Sequence, residues 1–237
     1  MEKCIFQQPK IKKLQRSSGY TAWLVDGKYV RDCLNEEFTN FGWCNHFSFI
    51  PKKEFWIDYE SKPGEAQYFF ANFLMMQDLM KKGMGHKEAC IKSDEVERKE
   101  RAKTDFYKKH QDLPKDKRAM SVHKRLLSFW GEKLKIWLVD GEDVRSLFFL
   151  DFTEGGHDKV YDFIPDGEVW IDDDLLRKER NLVLVHELHE RRLMAKGMPY
   201  QKAHFKSSNL ERFCRKTKIF TAIILFMEKL GNIIFVR

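Results

Sequence analysis

The feature that most constrains this chain is an internal repeat. The string WLVDG occurs at residues 23–27 and again at 137–141, an offset of 114. At that offset, without a gap, Val30-Arg31 matches Val144-Arg145, FT at 38 matches FT at 152, and FIP at 49 matches FIP at 163. The register continues through WID at 56 and 170 and KGM at 82 and 196. About 29 of the 76 positions from 23 to 98 are identical to their partners, far above chance for ordinary composition. Whatever one half folds into, the other must fold into as well, so the sequence predicts two tandem copies of one unit. The divisions are a first repeat at 20–110, a basic linker at 111–133, a second repeat at 134–217 and an apolar C-terminal tail at 218–237.

Within each repeat, WLVDG has the pattern of a short strand ending in an Asp-Gly turn, with Val-Arg resuming an extended segment. A glycine-containing loop follows. In the second repeat, YDFIPDGEVWID alternates apolar and polar residues around a Pro-Asp-Gly break and predicts a further hairpin. Apolar positions at helical spacing then run from 174 to 196; Gly197 stands where a helix stops and Pro199 where the next can start. The expected fold class is α+β, with two tandem homologous modules, each a small antiparallel sheet followed by a helical hairpin.

Composition narrows the function classes. At 43% hydrophobic and 14% aromatic residues the chain can bury a sizeable core. A formal charge of +7 favours weak attraction to polyanions, concentrated in the Lys/Arg-rich stretch 96–127, where few aromatics are interleaved. Five cysteines, with no C-x-x-C pair, indicate neither a disulfide framework nor a thiolate zinc knuckle, so a reducing, cytoplasmic setting is expected. The first residues lack the apolar core of a signal peptide, and no stretch reaches the roughly 18–20 apolar residues of a membrane span. The apolar run 219–227 in the tail is expected to pack on the protein's own core or on a second copy in a homodimer.

Comparing the two copies separates chemistry from framework. His157 stands opposite Trp43, His186 opposite Asn72, Glu187 opposite Phe73, His189 opposite Met75, Glu190 opposite Met76 and His204 opposite Cys90. Nearly every group able to hold a metal is confined to the second copy. Glu179 and Glu211, by contrast, recur as Glu65 and Glu97, which marks them as structural. Glu179 also lies seven residues before His186, about 10 Å along a helix axis, too far for one ion's first shell. His186 can chelate with Glu190 one turn on, or with His189 at i+3. Among the acids at 172–174, Asp172 recurs as Asp58, whereas Asp173 and Asp174 are free to reach the site.

The order His186-Glu187-x-x-Glu190 resembles the metal-binding helix of zincin-type metallohydrolases, whose H-E-x-x-H segment places two ligands one turn apart beside a glutamate base. Here Glu190 occupies the second ligand position in place of histidine. The resemblance, which spans five residues, implies that His186 and Glu190 bind a divalent metal, zinc foremost, and that Glu187 is the catalytic base. His204 on the following helix supplies a third ligand, with His189 and His157 as further candidates. Two histidines and a carboxylate leave a position open for a water whose pKa the ion lowers to about 7, giving a metal-dependent hydrolase of unspecified substrate. Iron or manganese would also suit mixed nitrogen and oxygen donors.

Two other readings compete. His186, His189 and Glu190 can form the polar face of an exposed helix, with Glu187 and Arg191 as an i,i+4 pair. Alternatively the chain is a non-catalytic protein- or nucleic-acid-binding protein whose second repeat is stapled by a structural metal or a buried polar network.

Overall fold

The computed structural model describes residues 8–131, 133–217 and 220–235. The chain divides into two compact units, residues 1–109 and 110–237. In the first unit, strands β1 (Lys10–Ser17) and β2 (Tyr20–Val25) lead into a short helix α1 (Gly27–Cys33). Strands β3 (Phe41–Trp43) and β4 (Glu54–Asp58) follow, then helices α2 (Glu65–Lys81), α3 (His86–Arg101) and the boundary helix α4 (Asp105–His110). The second unit begins with α5 (Lys115–Ser121), β5 (His123–Phe129) and β6 (Lys135–Val139). It continues through α6 (Gly141–Leu147), β7 (Gly155–His157), β8 (Glu168–Asp172), α7 (Arg177–Ala195), α8 (Tyr200–Thr217) and α9 (Thr221–Phe235).

Each unit carries a four-stranded sheet of the same topology, β1-β2-β4-β3 in one and β5-β6-β8-β7 in the other. Register repeats as well: Trp23 stands opposite Trp56, and Trp137 opposite Trp170. Helices pack against each sheet, so the architecture is α+β as expected. The sheets, however, are mixed rather than antiparallel, because the central pairs β2–β4 and β6–β8 run parallel.

The departure traces to the Asp-Gly step, which does not turn the chain back. Asp26 and Asp140 instead cap helices, their side chains accepting from the backbone N–H of Tyr29 and Asp143. Val30-Arg31 and Val144-Arg145 are therefore helical, not extended. Each helix places an arginine on a buried aspartate at the end of the parallel neighbour, Arg31 on Asp58 at 2.6 Å and Arg145 on Asp172 at 3.0 Å. Glycine is required at 27 and 141 by this approach, since a Cβ there would lie 1.8 and 1.9 Å from the Asp58 and Asp172 carboxylates. The Pro-Asp-Gly break likewise opens no local hairpin: β8 pairs antiparallel with β7, whose Gly155–His157 the sequence pattern assigned to a loop.

The helical hairpins fall where the periodicity predicts. Gly197 (φ +87°) ends α7 and Gly83 (φ +92°) ends α2, in the left-handed conformation that glycine adopts without strain. Leu182, Val183, Leu184, Val185 and Leu188 of α7 join Ile136, Leu138, Val169 and Ile171 of the sheet in the second unit's core. A buried arginine ties each hairpin together. Arg101 binds Glu65 through two 2.9 Å bonds and Glu97 at 2.9 Å, and Arg215 likewise joins Glu179, through Oε2, to Glu211, through Oε1. The two glutamates read as framework thus share one counter-ion in each unit.

The stretch read as a basic linker, 111–133, carries α5 and the edge strand β5, which pairs with β6 and completes the second sheet. The first unit likewise begins at β1, ahead of residue 20. In the tail, whose residues 218, 219, 236 and 237 lie outside the described residues, α9 docks on α7 largely through polar groups. Asn232 donates to the Leu188 carbonyl at 2.7 Å and accepts from Arg191 at 3.1 Å. Leu225 enters the core with Ile224 and Ile233 beside it, but Ile223, Phe226, Met227 and Ile234 are exposed. Cys44, Cys90 and Cys214 are free thiols. No helix among the described residues is long and apolar enough to cross a membrane.

Candidate metal centre

Burial of Leu182–Val185 and Leu188 fixes the rotation of α7 and turns His186 and Glu190 toward α8. The tight turn at Gly197 brings His204 of α8 back alongside them. The Nε2 of His186 lies 3.2 Å from Nδ1 of His204, and His204 Nδ1 lies 2.8 Å from Oε2 of Glu190. His186 Nε2 to Glu190 Oε2 closes the triangle at 3.5 Å. Ligand atoms about 2.0–2.1 Å from a tetrahedral zinc ion sit about 3.3 Å apart, so the triangle has the dimensions of three corners of such a site. His186 and Glu190 are buried and His204 is half-buried, which leaves one side of the triangle toward solvent.

The groups behind this triangle fix its tautomers. Glu211 Oε2 lies 3.1 Å from Nδ1 of His186. In the neutral ring the carboxylate would hold the proton on Nδ1 and leave Nε2 a lone pair toward the triangle, the carboxylate–histidine arrangement found behind metal-binding imidazoles; without an ion, Nε2 carries a second proton that a metal would have to displace. His157, buried at the end of β7, is wired the other way. The Lys159 N–H donates to its Nδ1 at 3.1 Å, so the neutral ring carries its proton on Nε2, 3.2 Å from Glu190 Oε1. Glu190 is thereby gripped by His157 on one oxygen and offers the other to the triangle. His157 thus positions Glu190, and with Glu187 and Glu190 it also forms a second group whose donor atoms lie within 4.8 Å of one another.

Electrostatics follow from these contacts. Burial works against a charged His186, but hydrogen bonds to Glu190 and Glu211 outweigh it and hold the imidazole well above its ordinary range. Burial would likewise raise Glu190, yet His157, His186 and His204 together pull its carboxyl far below the usual range. Glu211 is lowered for the same reason, His186 and Arg215 overcoming burial. Glu187 goes the opposite way: burial pushes its carboxyl up, with Glu190 adding and His186 and His157 opposing. It has no hydrogen bond or ion pair among the described residues, and one of its oxygens lies within 4.8 Å of donor atoms of His157 and Glu190. The phenol of Tyr161 faces the same carboxyl and is held up by burial first and Glu187 second.

Of the residues singled out in the sequence, His186, Glu187, Glu190, His204 and His157 converge. His189 does not: it points to α9, where its Nδ1 lies 2.9 Å from Glu228, and Arg192 clamps the same carboxylate. Arg191 pairs with Asp158 at 2.6 Å instead of with Glu187, so the exposed i,i+4 pair is not formed. Asp173 and Asp174 face Lys124 and Arg145, away from the imidazoles. The sequence reading gave Glu211 a framework role only and passed over Tyr161, although the exchange of Phe47 for Tyr161 between copies was a signal of the same kind as the histidines.

In the first unit the corresponding places are filled with apolar bulk. Trp43, Phe73 and Met76 are buried together with Phe55 and Phe70, and Cys90 packs on them. Phe73 stacks on Phe55 at 4.6 Å, and Trp43 meets Phe73 at 5.5 Å. Asn72, in place of His186, still reaches the framework carboxylate, donating to Glu97 at 2.8 Å. The hydrogen bond to the glutamate is common to both units, and the donor triangle belongs to the second alone.

No family model, curated protein or solved structure matches the chain.

Proposed function

We propose that the second unit is a metal-dependent hydrolase, holding a divalent ion, zinc foremost, between His186 Nε2, Glu190 Oε2 and His204 Nδ1. The observation that carries this reading is the convergence of these three atoms within 3.5 Å while the other nitrogen of His186 is taken by Glu211. A bound ion would supply a water of lowered pKa at the half-open side of the site. The chain itself contributes Glu187, a carboxyl that burial holds above its ordinary range and that has no hydrogen bond or ion pair among the described residues, as the group that takes the proton and returns it to the leaving atom. The bond broken is an amide, an ester or a related linkage. We further read the two units as copies of one ancestral module, the first serving as scaffold or regulatory partner after its site was filled.

A second reading draws on the fact that the same donor atoms already pair with one another at 2.8–3.2 Å. A buried polar network, with or without a structural ion, would then staple α7, α8 and β7 in a binding protein. Metal analysis of protein purified without a His tag, alongside Glu187→Gln, separates the two. The hydrolase keeps its metal and loses turnover in that variant; a staple changes in neither respect. Absence of stoichiometric metal after reconstitution of the wild type would sink the metal reading.

A further inference from the structure

On the other side of α7 lies a second feature with no role in the metal chemistry. Arg177, Asn181 and Leu184 sit about 180° around the helix from His186 at 100° per residue. They line a cavity of about 400 Å³ together with Arg180, Arg125 from β5 and Lys229 from α9. Leu127 and Leu184 supply its apolar wall. Four cations thus converge on one concavity, and none of them makes a salt bridge with a carboxylate among the described residues. Arg180 donates only to main-chain carbonyls, those of Leu175 at 2.9 Å and Asp173 at 3.0 Å. Asp173, which acts on Arg180 electrostatically, is itself held by Lys124 at 2.6 Å.

Arg125 and Arg177 are exposed, Arg180 and Lys229 half-buried, so the four stay charged at the rim and floor of the concavity. Arg177, Lys178 and Arg180 occupy the first turn of α7, the end where the helix dipole disfavours cations. The one acid in that turn, Glu179, is buried on Arg215. The copy comparison gives an independent sign, because Pro63 and Ala66 stand in the first unit where Arg177 and Arg180 stand in the second. The first unit therefore folds the same way without the cluster.

We propose that this cavity is a binding site for a small organic phosphate, its phosphoryl oxygens held by Arg125, Arg177 and Lys229 and its apolar part laid against Leu127 and Leu184. Guanidinium groups suit a phosphoryl group because their N–H forks match its oxygens in pairs. The volume lies in the range of small-molecule sites, and the mix of apolar wall and convergent polar groups is what such sites share. Burial lowers Lys229, and burial first, with the neighbouring Arg125 second, lowers Arg180. The site stands apart from the metal reading and does not depend on it.

Calorimetric titration of chelator-treated full-length protein at about 0.15 M salt tests the assignment, with phenyl phosphate as probe and phenol as its uncharged control. Phenyl phosphate should bind saturably at one site per chain and phenol should not. Arg177→Gln with Lys229→Gln should weaken binding by about tenfold or more, the size expected when charge-assisted hydrogen bonds are removed. Arg125→Gln alone should weaken it in the same direction, and His186→Ala should leave it unchanged. The proposal is overturned by no saturable binding, by phenol binding as tightly, by an undiminished affinity in the double variant, or by loss of binding in His186→Ala.

Discussion

Glu211 Oε2 lies 3.1 Å from His186 Nδ1, while Oε1 of the same carboxylate receives both Nε and Nη2 of Arg215. One framework glutamate therefore joins the clamp that holds the hairpin to the imidazole that heads the donor triangle. Glu97 does the same for Asn72 in the first unit, so the contact is common to both units, and in the second it meets a histidine instead of an amide.

From this junction, Glu211→Gln should weaken metal binding by about 10–100-fold without abolishing it, the usual cost of losing a carboxylate behind a ligating imidazole. The amide still fills the space and can still bond to Nδ1, but it no longer fixes which nitrogen carries the proton. Competition with a chromophoric chelator gives the affinity directly. Glu97→Gln is the internal control and should leave it unchanged; equal effects from both variants would assign the loss to general destabilisation.

The filled site of the first unit makes the reverse prediction. Phe73→Glu restores the residue type of Glu187 but puts a carboxyl among Trp43, Phe55, Phe70 and Met76. Removing a buried aromatic side chain alone costs about 3–5 kcal/mol, and burial of an unpartnered carboxyl adds to it. Because two units share the chain, hydrogen exchange read separately over residues 54–101 and 168–217 is the suitable measurement. Protection should collapse in the first segment and persist in the second.

How much of this was legible beforehand depended on the range of the signal. The helical hairpins, their glycine stops and the convergence of His186, Glu190 and His204 followed from periodicities and spacings within about 20 residues. The parallel β2–β4 and β6–β8 pairs did not, because Asp26 and Asp140 act as helix caps only once a buried arginine–aspartate pair, 27 residues apart in sequence, holds α1 and α6 against the sheet. His157 was visible as a histidine gained in one copy. Its role depends on the Lys159 N–H that occupies Nδ1, and no residue pattern reports that contact. His189 was placed with the cluster by its i+3 spacing, whereas Glu228, supplied by a helix 39 residues away, draws it to the other side.

Gly141→Ala tests the cap-and-clamp account of the sheet. The added Cβ would lie 1.9 Å from an Asp172 oxygen, and Asp172 cannot swing aside while Arg145 holds it at 3.0 Å. Overpacking of this kind costs about 1–3 kcal/mol, and displacement of the buried pair raises the figure toward the 3–5 kcal/mol of a broken one. Denaturant unfolding of Gly141→Ala beside Gly231→Ala would measure it. The latter Cβ meets only the flexible Arg192 side chain at 2.6 Å, so it should cost less.

The docking of α9 predicts a pH dependence whose sign is set by Glu228. Burial alone would raise this carboxyl, but hydrogen bonds with His189 and Arg192 outweigh it and leave the folded group below its ordinary range. A carboxylate lowered on folding adds stability in full above its unfolded pKa of about 4.3, and that stability is lost as pH falls through the lower folded value. Wild-type protein should therefore shed the contact only in acid. Glu228→Gln should lower the melting temperature near neutral pH, and the gap to wild type should close as the pH drops below about 4. A gap that stayed constant across this range would mean that Glu228 holds α9 by packing alone, with its charge playing no part.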